Sequence, residues 1–263
     1  MDKKHRIILI LSISIFLGCV GYLTKYFYDS RKAKNDISAL KDVIESGFEK
    51  DSRKKNDAQT EEDSKPEEKY ASNGMIQGYY NAYEKNNDMV GWVKIDGTDI
   101  DYPVMQNYDN EYYLHRNFEK KYQYSGLPFL DYQCDIKKPS DNLIVYAHNM
   151  KDGSMFAGLL DYEDKKFYDK HSIIEFDTNY ERGKYKIFAV FETKTKSENE
   201  FKYHEWTEFE SKEEFIEFMN TVKSGMLYKT GESVSYGDKI LTLSTCSYNR
   251  SNERMVVMAK RIQ

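Results

Sequence analysis

The run Ile240-Leu241-Thr242-Leu243-Ser244-Thr245-Cys246 is short, apolar and β-branched, and it ends on a thiol just before a polar loop. A strand placed this way fixes its last side chain on a rigid element yet leaves it at an edge, as a nucleophile requires. Burial is the competing role, because free cysteine is among the most buried residue types. An unassisted thiol has a pKa of about 8.5, so a neighbouring base or cation must raise the thiolate fraction at neutral pH. Two residues elsewhere carry that chemistry. His148 closes an apolar run where it gives way to the polar Asn149-Met150-Lys151-Asp152-Gly153 and could serve as a general acid; the alternative is a hydrogen-bonded rim histidine. Arg254 opens another apolar run as a fixed cation, the alternative being a carboxylate-paired surface residue, and Arg250 competes with it from the loop 247–253.

Eight segments read as strands that could position these groups: 92–95, 99–104, 128–131, 143–148, 173–178, 184–193, 239–246 and 254–261. Several alternate apolar with polar residues, as half-buried strands do. Asp96-Gly97 between the first two supplies the positive φ angles of a hairpin turn. Many short strands separated by turns predict a closed barrel or a sandwich. Helices are expected at 75–86, at 155–162 and from Ser211 onward. There the Ser211 hydroxyl can cap the helix while Glu214 returns the bond, and Phe215, Phe218, Met219 and Val222 form a core stripe at helical spacing.

Thr242-Leu243-Ser244-Thr245-Cys246, followed eight residues later by Arg254, resembles the active-site segment of the sortases, cysteine transpeptidases of Gram-positive surfaces. The stretch 142–150, with Tyr146 two residues ahead of His148, is similar to the histidine strand of that family. The resemblance runs from about Met75 to Gln263 and is closest to class B, which inserts a helix between the strands before the cysteine. It implies a mainly β fold: an eight-stranded barrel with N-terminal helices and that added helix. It also implies His148, Cys246 and Arg254 as catalytic residues. The implied reaction is attack of the Cys246 thiolate on a threonine carbonyl within a sorting signal near the C-terminus of an exported protein. His148 as imidazolium would protonate the leaving amine, Arg254 would hold the substrate backbone or oxyanion, and an amine of the cell-wall peptide would resolve the thioacyl-enzyme. Asn110 and Leu114 resemble the groove wall of the family, and Tyr146, Ser244 and Thr245 flank the catalytic positions, each with packing as its alternative role. His115, His171 and His204 lack a comparable setting.

The N-terminus reads independently as an export signal or anchor. Residues 7–23 are apolar and nearly uncharged behind Lys3, Lys4 and Arg6, and Tyr22, Tyr26 and Phe27 can extend the span into the far interface. We expect an uncleaved single-pass anchor with a cytoplasmic N-terminus and the remaining chain on the cell-wall side. Leu17-Gly18-Cys19 could be taken for a lipoprotein box, but bulky Phe16 precedes it. The expected organisation is an anchor over 1–28, a charged stalk over 29–74 and a catalytic domain over 75–263. Ile37, Leu40, Val43 and Ile44 suggest one short amphipathic helix in the stalk, and 50–69 is too polar to fold.

The net charge of −5 and the lack of a basic stripe with interleaved aromatics argue against a phosphate-backbone partner, so no nucleic acid is expected. His and Cys do not cluster at zinc-ligand spacing, so neither a metal nor another cofactor is expected. Cys134 could pair with Cys246, although that would disable the nucleophile; it receives no role. Two rival readings share the fold: a cysteine endopeptidase that passes the acyl group to water, and a catalytically silent binding domain.

Overall fold

The structure, a computed structural model, describes residues 2–49, 70–194, 201–246 and 253–263. The polar segment 50–69 and Arg250 therefore lie outside the described residues. Two compact units divide the chain, Met1–Asp42 and Val43–Gln263. The first consists of most of α1 (Lys3–Glu49), whose apolar side chains, Ile7 through Leu23, are exposed. By length and composition alone α1 is able to cross a membrane. It is continuous through the region where only a short stalk helix was expected, because no Pro or Gly pair interrupts 24–46.

In the second unit, eight strands close into a barrel in the order β1-β2-β3-β4-β7-β8-β6-β5. They are β1 (Met89–Lys94), β2 (Asp101–Met105), β3 (Phe129–Leu130), β4 (Asn142–His148), β5 (Ile173–Thr178), β6 (Lys184–Lys194), β7 (Ile240–Cys246) and β8 (Glu253–Arg261). All eight expected segments are strands, each within three residues of its expected bounds. β2–β3 and β4–β7 pair in parallel, and the other six pairs are antiparallel. The β1–β2 connection turns at Gly97, with φ of 78°, but spans more than a two-residue hairpin: Ile95 N–H bonds to the Ile100 carbonyl.

Leu143, Val145, Leu241, Leu243 and Val257 form one face of the central strands and are at most 2% exposed, which makes them the barrel core. The opposite face of β4, β7, β8 and β6 is buried too, beneath the connection from β6 to β7. Asn142 Nδ2 donates to the Trp206 carbonyl, Thr242 Oγ1 donates to Asn142 Oδ1, and Phe191 packs on Phe201. With both faces covered, these strands read as continuous apolar runs rather than as clean alternations.

That connection contains α4 (Lys212–Gly225), the helix expected from Ser211. Ser211 Oγ accepts from Glu214 N–H at 3.2 Å, and Phe215, Phe218, Met219 and Val222 are buried. Glu214 does not return its bond to Ser211 as expected; its carboxylate accepts from Glu210 N–H, one residue earlier. Phe218 packs against Phe201, Trp206 and Phe209 within the insert, and Phe201 in turn packs on Phe191 of β6. Burying each such ring is worth about 2–3 kcal/mol. Before the barrel, α2 (Gln77–Tyr83) fills part of the expected 75–86 helix, while 155–162 forms a 3-10 turn, Ala157–Glu163, followed by α3 (Lys165–Lys170). His171, two residues ahead of β5, caps the C-terminus of α3, and its Nδ1 lies 2.8 Å from the Asp96 carbonyl.

Candidate active site

Three strands bring the expected residues to one rung. In the parallel β4–β7 pair, His148 is the register partner of Cys246; in the antiparallel β7–β8 pair, Cys246 is the register partner of Arg254. Neighbouring strands lie about 4.8 Å apart, so the three backbone positions fall within a span of about 10 Å. Residues far apart along the chain meet there because β7 and β8 are inserted beside β4 with no register shift over their shared length.

His148 is buried, at 8% exposure, and two consecutive residues of one turn contact its ring. Its Nε2 donates to the carbonyl of Leu114 at 2.9 Å, and its ring stacks on His115 with centroids 5.3 Å apart and planes 24° from parallel. Both residues belong to the 3-10 turn Tyr112–His115. Burial pushes the His148 pKa below its ordinary value; the Leu114 carbonyl opposes that shift, and the neighbouring imidazole of His115 adds to it. The resting ring is therefore biased toward neutral.

Arg254 is half-buried, and its Nη1 donates to the Tyr203 hydroxyl at 3.3 Å. Tyr203, 1% exposed in the 3-10 turn Tyr203–Glu205, lies 2.6 Å from Ser244 Oγ. Behind the His148 strand, the Tyr146 hydroxyl donates to the buried carboxylate of Asp131 at 2.8 Å, and Asn110 Nδ2 donates to the same oxygen at 2.9 Å. Asn110 Oδ1 accepts from Tyr132 N–H at 3.0 Å. Burial pushes the Tyr146 phenol upward, so it stays protonated as the donor.

Leu114 meets His148 through its carbonyl, whereas Asn110 is bonded to Asp131 and Tyr132. Ser244 and Thr245 are each 1% exposed. Ser244 is roofed by Tyr203, and Thr245 shares the Leu241 and Leu243 face of β7, opposite the Ser244 face, because strand residues alternate sides. Cys134 is free and buried, with its Sγ directed at the Asn142 carbonyl at 3.4 Å and its pKa pushed up to about 12 by burial. Residue types and spacing pointed to neither His115, Asp131 nor Tyr203. Only His115 carried a signal, as the immediate neighbour of the expected groove residue Leu114. Among the described residues, no group of three or more His, Cys, Asp or Glu could hold a metal ion.

The family model of the sortase domain matches residues 93–262, spanning every strand of the barrel except the start of β1. The chain belongs to the sortase family. Sortase B of Staphylococcus aureus is 36% identical over 191 residues, covering 72% of this chain and 76% of the relative. Sortase B of Listeria monocytogenes is 40% identical over 193 residues with the same coverage. Among solved structures, the Staphylococcus aureus sortase B–substrate complex superposes with a TM-score of 0.74 at 28% identity, covering 90% of this chain and 99% of that one. Sortase B of Bacillus anthracis in complex with AAEK1 gives 0.73 at 30% identity with the same coverage. This sortase is therefore of class B, a sortase-type cysteine transpeptidase, and its closed barrel and inserted α4 match those expected from the resemblance.

Proposed function

We propose that this sortase cleaves a C-terminal sorting signal of exported proteins after threonine and transfers the acyl group to a cell-wall peptide amine, using Cys246 as nucleophile, His148 as acid–base and Arg254 as oxyanion or backbone clamp. The observation that carries this reading is the single rung shared by the three residues across β4, β7 and β8.

In this account the neutral His148 ring takes the thiol proton as sulfur attacks the carbonyl carbon. Nε2 is bonded to a carbonyl, which can only accept, so the proton is exchanged at Nδ1. The resulting imidazolium gives that proton to the departing amine as the tetrahedral intermediate collapses to a thioester. The sequence-based expectation began with imidazolium; the depressed pKa favours beginning with the neutral ring. In the second half-reaction His148 accepts a proton from the attacking amine and returns it to the leaving sulfur. Arg254, oriented by Tyr203, supplies charge-assisted hydrogen bonds to the oxyanion. Asn110 and Leu114 form part of the groove wall.

The proposed organisation is an N-terminal anchor over 1–28, a spacer over 29–74 and the catalytic domain over 75–263, with the barrel outside the cell membrane. Exposed apolar residues along the first half of α1 support the anchor. Product analysis tests the reaction: with a sorting peptide and an oligoglycine amine, the amide adduct should exceed the free acid. Acid alone at saturating amine would favour a hydrolytic endopeptidase instead.

A further inference from the structure

One 3-10 turn, Tyr112–His115, presents two consecutive residues to the same imidazole. The Leu114 carbonyl meets the edge of His148 at Nε2, and the His115 ring covers its face. Rotation of His148 about its side-chain bonds would break one contact or the other. His115 is itself fixed although it is exposed. Its Nδ1 donates to the Tyr124 carbonyl at 3.0 Å, and the Tyr124 ring lies 6.0 Å away at 21° and Tyr122 6.1 Å away at 33°. The backbone closes the same unit. The His115 carbonyl accepts from Gln123 N–H at 3.0 Å, and Arg116 bridges to Tyr122. A side chain at the surface gains little from burial, so this arrangement does not serve core packing.

We propose that His115 is a positioning residue for His148: it seats the imidazole against the Leu114 carbonyl and shields its face from water, so that Nδ1 is held ready for proton transfer. This rests on the acid–base role given to His148 above. The titratable and charged groups around His148 are His115 from the turn, the register partners Cys246 on β7 and, beyond it, Arg254 on β8, and Tyr146 two residues back on β4. Removing the His115 ring admits water to the face of His148 and relieves the desolvation that disfavours its charged form. The neighbouring imidazole also opposes a second positive charge at that point.

The test compares His115→Ala, which removes the ring, with His115→Phe, which keeps a flat face. Full-length protein is assayed for kcat and KM, and the His148 imidazole is titrated by NMR in a Cys246→Ala background. His115→Ala should lower kcat about tenfold with KM within about twofold, and should raise the His148 midpoint toward its ordinary value. His115→Phe should recover most of the lost kcat. Unchanged kcat and an unmoved His148 midpoint in His115→Ala would overturn the proposal, as would equal losses in both variants expressed mainly in KM. His148→Ala separates the two levels. If it abolishes turnover while the His115 variants behave as wild type, only the positioning role fails; if it retains turnover, the acid–base reading fails and this inference with it.

Discussion

The carbonyl of Leu114 stands 2.9 Å from Nε2 of His148. A carbonyl offers only lone pairs, so Nε2 keeps its proton whether the ring is charged or neutral, and titration changes the occupancy of Nδ1 alone. In the proposed reaction, the proton that His148 exchanges is therefore the one on Nδ1.

A pH dependence follows. The His148 pKa is lowered, principally by burial, so its neutral form persists below the ordinary midpoint of about 6.5. Single-turnover acylation, which avoids titration of the acceptor amine, should rise with pH along an acid limb centred below about 6.5. A limb centred above 7.5 and abolished by His148→Gln would contradict this proton inventory. Stability carries the same sign. The unfolded ring takes up a proton at about 6.5 but the folded ring resists it, so this contribution is full above about 6.5 and is lost as pH falls toward the folded pKa. His148→Gln should flatten that part of the Tm profile.

How much of this was legible in the sequence depended on whether a signal was local. β5 fell where expected, Ile173–Thr178, because its residues alternate buried and half-buried in strict period two. β4 and β7 were legible as apolar runs bounded by polar turns. The rung was predicted only through family resemblance; nothing local in 142–148 specifies that β7 lies beside β4 in zero-shift parallel register. The turn Tyr112–His115 escaped because a four-residue 3-10 element shows no periodicity. Asp131 escaped because its partners, Asn110 and Tyr146, reach it from other segments, and a single aspartate at a strand end reads as surface. Tyr203 escaped for the same reason: its contacts are Ser244 and Arg254, brought close by folding of the insert.

The Arg254–Tyr203–Ser244 chain predicts graded losses. Arg254→Lys removes the planar fork and should lower kcat by about 100-fold with lesser change in KM. Tyr203→Phe deletes one hydroxyl and should cost about three- to tenfold, the equivalent of one hydrogen bond. Steady-state kinetics of the double variant should show less than the product of the two losses, because both act through one guanidinium. Full multiplicativity would place Tyr203 on a separate path.

Asp131 predicts a stability effect. Its carboxylate accepts from Tyr146, Asn110 and the Gln133 N–H. Asp131→Ala leaves the buried Tyr146 hydroxyl and the half-buried Asn110 amide without their acceptor and should lower stability by about 2–4 kcal/mol in urea unfolding. A loss below about 0.5 kcal/mol would show that water replaces the carboxylate freely.

The two cysteines of the Val43–Gln263 unit should differ in reactivity. Cys134 is 5% exposed with its thiol pKa pushed up to about 12, so iodoacetamide at neutral pH should leave it unmodified until the protein unfolds. Peptide mapping of native and urea-treated samples checks this. Rapid native labelling of Cys134 would show that the β3–β4 connection opens.

Intact-protein mass spectrometry of the full-length enzyme, incubated with a panel of sorting peptides and no amine, tests whether Cys246 is the nucleophile. A mass increment equal to the acyl fragment is expected on Cys246, absent in Cys246→Ala and discharged as an amide when oligoglycine is added. An increment that persists in Cys246→Ala, or peptide turnover undiminished by that substitution, would contradict that role.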